Sequence, residues 1–265
     1  MKQLAYLSPL ILLVPLASAQ ERRGVEDIFS PGFILEDRNG DGVIDFVNAE
    51  IRLREPPSAA IAAAASDVAA RLGFETMAMN LPVTESREGV LISIGTPAPA
   101  GEGTLAPGEG LLTIASADGR DEVLVSGGDD EGVRAAAAYL AGRAPHLWDP
   151  KGPTFETVGE DVTELLGFEP RSMRVVEVRV TDAGLSRLLI EWELASAGEI
   201  SRARSALQEG LAYEGVARLF ARLSAEGRPV EVEVPRKPLE ASSGAAPPRP
   251  GSGPKHDLDL SNLFT

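Results

Sequence analysis

The chain of 265 residues contains no cysteine. No disulfide can form, and no thiolate is available as a nucleophile or metal ligand. Histidine is nearly absent too, with His146 in a Pro-His-Leu-Trp segment and His256 in a polar stretch near the end. A zinc site built from several Cys or His ligands is therefore excluded within this chain, and a Ser-His-Asp triad would have to use one of those two residues. Neither has the neighbours of a catalytic motif. Basic residues are also in deficit, 25 Lys and Arg against 40 Asp and Glu, for a formal charge of -15. Such a surface is repelled by phosphate backbones and anionic lipid, which argues against nucleic acid as a partner. Hydrophobic residues make up 43% of the chain, enough for one or two domains with real cores.

The longest apolar run is at the start. Lys2 gives a basic opening, Leu4 to Leu16 is mostly apolar, and Ala17-Ser18-Ala19 gives the small-x-small pattern before Gln20. This is the form of a secretory signal over residues 1–19, too short for a confident membrane span. The expected location is secreted or periplasmic, with no membrane span in the mature chain.

The most specific chemistry lies in Asp37-Arg38-Asn39-Gly40-Asp41-Gly42-Val43-Ile44-Asp45. Oxygen-bearing side chains recur at every second residue. Numbered from Asp37, positions one, three and five are Asp37, Asn39 and Asp41. Gly42, at position six, accepts a bend that a Cβ would oppose. Val43 offers a backbone carbonyl, Asp45 stands at position nine, and Ile44 should point inward as an anchor. The donors are all hard oxygens, which suits calcium over zinc or copper. The pattern resembles the calcium loops of EF-hands, dockerins and thrombospondin type-three repeats. That resemblance implies a metal set of Asp37, Asn39, Asp41, Val43, Asp45 and Asn48, with calcium as the cofactor. The loop departs from the pattern at position twelve, where Asn48 replaces the usual acid and a strand-like segment replaces the helix. A full EF-hand or paired dockerin is not expected. An Asp-rich turn without an ion is the competing reading.

Around the loop, spacing predicts a strand over Phe46–Leu53, a helix over Ala59–Leu72 capped by Ser58 and ended by Gly73, and strands at Thr76–Leu81 and Gly89–Pro97. A Gly/Pro loop follows, then a hairpin of Leu111–Ser116 with Glu122–Ser126 and a second alanine-rich helix over Glu131–Arg143. Asp129 or Asp130 should cap that helix. The acids of Gly127-Gly128-Asp129-Asp130-Glu131-Gly132 would repel a phosphate, and no P-loop Lys-Ser/Thr follows. Asp149 to Pro153 reads as a boundary. Beyond it, strands are expected at Arg174–Thr181 and Arg187–Leu194, a helix over Ile200–Leu223 interrupted near Gly210 or Gly215, and a strand at Pro229–Val234.

The expected fold class is α/β and α+β: a mixed sheet covered by two helices, then a smaller two-layer α+β domain. The expected division is a signal at 1–19, a calcium-loop domain at 20–148, an α+β domain at 154–236, a Pro/Gly/Ser linker at 237–256 and a tail at 257–265. The tail regains apolar periodicity and reads as a docking peptide, the start of a further module or an ordered end of the same domain.

Glu191-Trp192-Glu193 sets two carboxylates on one strand face, a spacing glycosidases could use, but an exposed face with Trp192 turned inward is the commoner arrangement. Trp148 could stack on a sugar or close a core edge, and Glu160, Asp161 and Glu164 read as an exposed acidic face. The succession Leu91 to Pro97, Val123 to Val133 and the helix ending at Leu140 resembles accessory α/β domains of secreted glycan-active proteins. These include non-catalytic N-terminal domains of some glycoside hydrolases and carbohydrate-associated domains of a periplasmic cellulose synthase subunit. The resemblance spans residues 90–147 and implies an accessory or scaffolding role, with no catalytic residue transferred. The resulting expectation is a secreted, non-catalytic, calcium-binding accessory protein with a polysaccharide or protein partner. Its rival is the N-terminal part of a larger secreted hydrolase, acting on glycans or peptides, whose catalytic region lies outside this chain.

Overall fold

The computed structural model describes residues 22–76, 89–99, 101, 103–117, 120–142, 144, 155–213 and 215–238. The expected strand at Thr76–Leu81 falls almost wholly outside them, as do His146, Trp148, His256, the signal segment and the tail.

A 3₁₀ turn at Val25–Asp27 opens the described chain. Two short strands, β1 (Leu35–Glu36) and β2 (Phe46–Val47), pair antiparallel around the 37–45 loop. The expected strand at 46–53 is broken at Asn48, and β3 (Ala49–Leu53) begins after it. Helix α1 (Ala59–Glu75) starts at Ser58, whose hydroxyl accepts the Ile61 N–H at 3.2 Å. It does not end at Gly73. The last turn is held by the Arg71–Glu75 ion pair at 2.6 Å and by Thr76 Oγ1 donating to the Leu72 carbonyl. Strand β4 (Val90–Ile94) lies parallel to β3. The hairpin β5 (Gly110–Ala117) and β6 (Arg120–Gly127) forms as its alternation predicts, and β6 runs parallel to β4. Helix α2 (Asp130–Gly142) is capped by Asp129, whose carboxylate accepts the Gly132 N–H at 2.9 Å.

Helix α3 (Phe155–Leu166) is an element that the apolar spacing does not mark, and Glu160, Asp161 and Glu164 are exposed on it as expected. Strands β7 (Ser172–Thr181) and β8 (Gly184–Glu193) pair antiparallel. Helix α4 (Ala197–Leu207) then stops well short of the expected Leu223, and residues 216–223 lie in strand β9 (Val216–Ala225). Gly210 and Gly215 take left-handed backbone, and a Cβ on Gly210 would stand 2.5 Å from the Pro235 carbonyl oxygen. The chain turns there and returns as a strand parallel to β8. β10 (Arg228–Val234) completes the sheet antiparallel to β9.

All the strands from β3 onward form one eight-stranded mixed sheet, in the order β10-β9-β8-β7-β5-β6-β4-β3. The protein is thus an α/β fold with a large mixed sheet. The join between its halves is β5 with β7, from Gly110↔Val180 to Thr113↔Glu177, so the sheet runs unbroken past the Asp149–Pro153 segment. One apolar cluster gathers Ile61, Val68 and Leu72 of α1, Val133 and Leu140 of α2, Val162 of α3 and Ala203 and Leu207 of α4. It joins them to Ile92, Val125, Leu112, Val178, Leu188 and Leu219 of the sheet, so all four helices cover one face. The β3-α1-β4 and β8-α4-β9 crossovers share that face, yet β8 and β9 run opposite to β3 and β4. The two crossovers therefore have opposite hands, and one departs from the usual right-handed rule.

By register, Glu177, Arg187, Phe220, Arg222, Glu231 and Glu233 stand on the other face. Phe220 is buried there beneath the Arg187 and Arg218 guanidiniums, at 3.7 and 4.8 Å from its ring centre. Glu177, 1% exposed, is paired with Arg179 and with Arg187 at 3.0 Å.

Candidate metal loop

The chain enters the loop from β1 and leaves it through β2, so the ends are clamped as neighbours. The Asp45 N–H donates to the Glu36 carbonyl at 3.1 Å, and the Asn48 N–H to the Ile34 carbonyl at 2.7 Å. Between those clamps the backbone coils on the side chains that the sequence pattern singled out. Asp37 Oδ1 accepts the Gly40 N–H at 2.7 Å, and Oδ2 accepts the Gly42 N–H at 2.7 Å. Asn39 Oδ1 accepts the Asp41 N–H at 2.9 Å, and Asp41 Oδ1 accepts the Val43 N–H at 2.8 Å. Gly42 has φ +86, which confirms the physical reason for glycine at the sixth position. Ile44 is half-buried against the core, whereas the Val43 side chain is 50% exposed.

Electrostatically, Asp37 is the prepared acid. Hydrogen bonds from the Gly42 N–H, and then the Gly40 N–H, hold its carboxyl below the ordinary Asp value of 3.8. An ionised carboxylate has about four acceptor positions, so two N–H bonds leave capacity for a cation. Asp45 Oδ1 accepts the Arg38 N–H at 2.9 Å. The Arg38 guanidinium is committed elsewhere, to Glu36 at 2.8 Å and to the Phe46 ring at 3.1 Å from its centre.

Asn48 stands apart from these residues. Its Nδ2 donates to Glu36 Oε1 at 2.6 Å, and its carbonyl accepts the Val90 N–H at 2.9 Å. It ties the clamp to β4. Glu36, which the sequence pattern did not mark, holds both Arg38 and Asn48; its position just outside the D-x-N-x-D run gave no signal. Among the described residues, no three His, Asp or Glu side chains converge closely enough to hold a metal ion. The loop gathers hard oxygen donors on a tightly turned backbone, and its acids accept the loop's own N–H groups.

The other acidic candidates have structural partners. Glu191 pairs with Arg174, its Oε2 accepting from Nε at 2.7 Å, and Trp192 is fully buried between it and exposed Glu193. Asp129 also accepts the Gly108 N–H at 3.0 Å, so the Gly-Gly-Asp-Asp turn fastens a loop as well as capping α2. Among the described residues no helix is long and apolar enough to cross a membrane. No family model matches the chain, and no curated protein matches it either.

Proposed function

We propose that this is an exported, non-catalytic accessory or scaffolding protein that binds calcium through the 37–45 loop and associates with polysaccharide at the cell surface or in the periplasm. The loop carries this reading. Five oxygen donors fall within nine residues, on a backbone already wound by the Gly40 and Gly42 contacts to Asp37. Asp37, Asn39, Asp41 and Asp45, with the Val43 carbonyl, would hold the ion, and Asn48 with Glu36 would fix the frame behind it. Calcium would supply a charge centre that draws these oxygens together and stabilises the fold that binds it. With at most three carboxylates the affinity is modest, about millimolar, which suits a compartment rich in calcium.

The non-catalytic part rests on the Arg174 pairing that engages Glu191, on the capping role of Asp129, and on a chain without cysteine. The test is a panel of labelled glycans and peptides offered to the full chain with calcium. Retention of a glycan without turnover is expected. Hydrolysis by this chain alone would overturn the reading, and binding confined to peptides would remove its polysaccharide part.

A further inference from the structure

Asn39 is followed by Gly40, and both are exposed at the tip of the 37–45 loop. An asparagine side-chain amide and the next backbone nitrogen can close a five-membered ring. Three things ordinarily keep that ring open. The peptide nitrogen holds its proton and shares its lone pair with the carbonyl. The following side chain shields the nitrogen, and the amide carbonyl is a weak electrophile.

The loop acts on each of them. The Gly40 N–H donates to Asp37 Oδ1 at 2.7 Å, inside the reach of a general base. The N–H lies in the peptide plane, so this bond leaves the face of the nitrogen open. Gly40 has no side chain, and a Cβ built on it would meet nothing within 4 Å, so the position is open to water. Asn39 Oδ1 accepts the Asp41 N–H at 2.9 Å, which polarises the side-chain carbonyl where negative charge would develop. Asn39 Nδ2, the group that must leave, donates to Asp41 Oδ2 at 3.1 Å. Both polar atoms of the Asn39 side chain are therefore held, between a base and an oxyanion donor.

We propose that Asn39 is a self-modifying site, whose amide the loop converts to aspartate and isoaspartate through a cyclic imide with Gly40.

Asp37 Oδ1 takes the proton from the Gly40 nitrogen, and that nitrogen bonds to Asn39 Cγ. The carbonyl electron pair moves to Oδ1, where the Asp41 N–H meets it. As the carbonyl re-forms, the Cγ–Nδ2 bond breaks and the nitrogen leaves as ammonia with the proton that Gly40 gave up. Water then opens the ring. Cleavage between Cγ and the Gly40 nitrogen gives aspartate on the original backbone. Cleavage between the Asn39 main-chain carbonyl and that nitrogen gives isoaspartate. Nothing is oxidised or reduced, and water is the only co-reactant.

Asn48 supplies the contrast. It is followed by buried Ala49 at the start of β3, and its Nδ2 is held by Glu36 at 2.6 Å. The two products at position 39 differ in effect. Aspartate adds a carboxylate between Asp37 and Asp41, whereas isoaspartate lengthens the loop backbone by one carbon and shifts Asp41 and Val43 against Asp37. The reaction itself needs no metal, so it stands apart from the calcium reading.

The test is incubation of the full chain at neutral pH with a chelator present, followed by peptide mass mapping and isoaspartate detection. Position 39 should exchange its amide for an acid, with isoaspartate among the products, while Asn48 stays unchanged. Asp37→Asn keeps an acceptor for the Gly40 N–H and removes the base. With far-UV circular dichroism as a check on folding, its rate at position 39 should fall by at least about tenfold. The folded, unaltered chain should also convert faster than the same chain in denaturant, where the loop contacts are lost. No conversion at Asn39, an equal rate in folded Asp37→Asn, or a faster rate in denaturant overturns the proposal.

Discussion

At the scale of single residues, amide and carboxylate side chains fix backbone in the 37–45 loop. Asp37, Asn39, Asp41 and Asp45 each accept a main-chain N–H within their own loop. Asn48, which the loop pattern places in the metal set, has its side-chain nitrogen engaged by Glu36. In a calcium loop an acid at position twelve tightens binding, but here Asn48 Nδ2 lies 2.6 Å from Glu36 Oε1. Asn48→Asp would set two carboxylates against each other. It should lower stability by about 1–3 kcal/mol at neutral pH and give no gain in calcium affinity. Chemical denaturation and a calcium titration check both parts, and a tighter calcium site without loss of stability would return Asn48 to the ligand set.

Elements were legible where local physics dominates. The alanine-rich helices α1 and α2 announce themselves by apolar spacing and by Ser58 and Asp129 at their starts. The β5–β6 and β7–β8 hairpins announce themselves by alternation about short turns. The misreading at 216–223 has a definite origin. Leu219 and Leu223, and Arg218 and Arg222, are spaced by four, which suits a helix and a strand equally. Tertiary pairing decides, since β9 lies between β8 and β10 and buries Leu219 and Leu223 on one face and Phe220 on the other. In α3, the acids at 160, 161 and 164 masked the apolar set of Val162, Leu165 and Leu166. The caps give a prediction at this scale. Ser58→Ala removes the acceptor for the Ile61 N–H and the hydroxyl that supports Asp130, and should cost about 1 kcal/mol. A melting temperature equal to that of the unaltered chain would contradict it. Asp129 adds a pH dependence. Its carboxyl is lowered by the Gly132 and then the Gly108 N–H, so its contribution is present above the ordinary Asp value of 3.8 and is lost as pH falls below it. Asp129→Ala should therefore lower the melting temperature at pH 7 and have less effect as the pH drops toward 3.

For the whole molecule, the continuity of the sheet was the feature least visible beforehand. β5 and β7 lie more than fifty residues apart, and nothing local in Leu111–Thr113 or Glu177–Arg179 marks them as partners. Their pairing merges what read as two cores into one cluster that contains both Leu112 and Leu188. A single cooperative unfolding transition follows. Leu112→Ala in the first half and Leu188→Ala in the second should each shift the same transition by about 2–5 kcal/mol. Two transitions, with each substitution moving only one, would show that the halves fold independently.

The 37–45 loop lies toward the β3 edge of the sheet, joined to β4 through Asn48 and Val90 and to the N-terminal turn through the short chain from Ser30 to Ile34. Under the proposed function it is a calcium-dependent clip at the N-terminal side of the sheet. Isothermal titration of calcium into the full chain, at millimolar concentration with a parallel melting curve, tests that role most directly. A heat of binding and a higher melting temperature are expected, both lost when Asp37 and Asp41 are replaced by Ala. No heat and an unchanged melting temperature at millimolar calcium would contradict it.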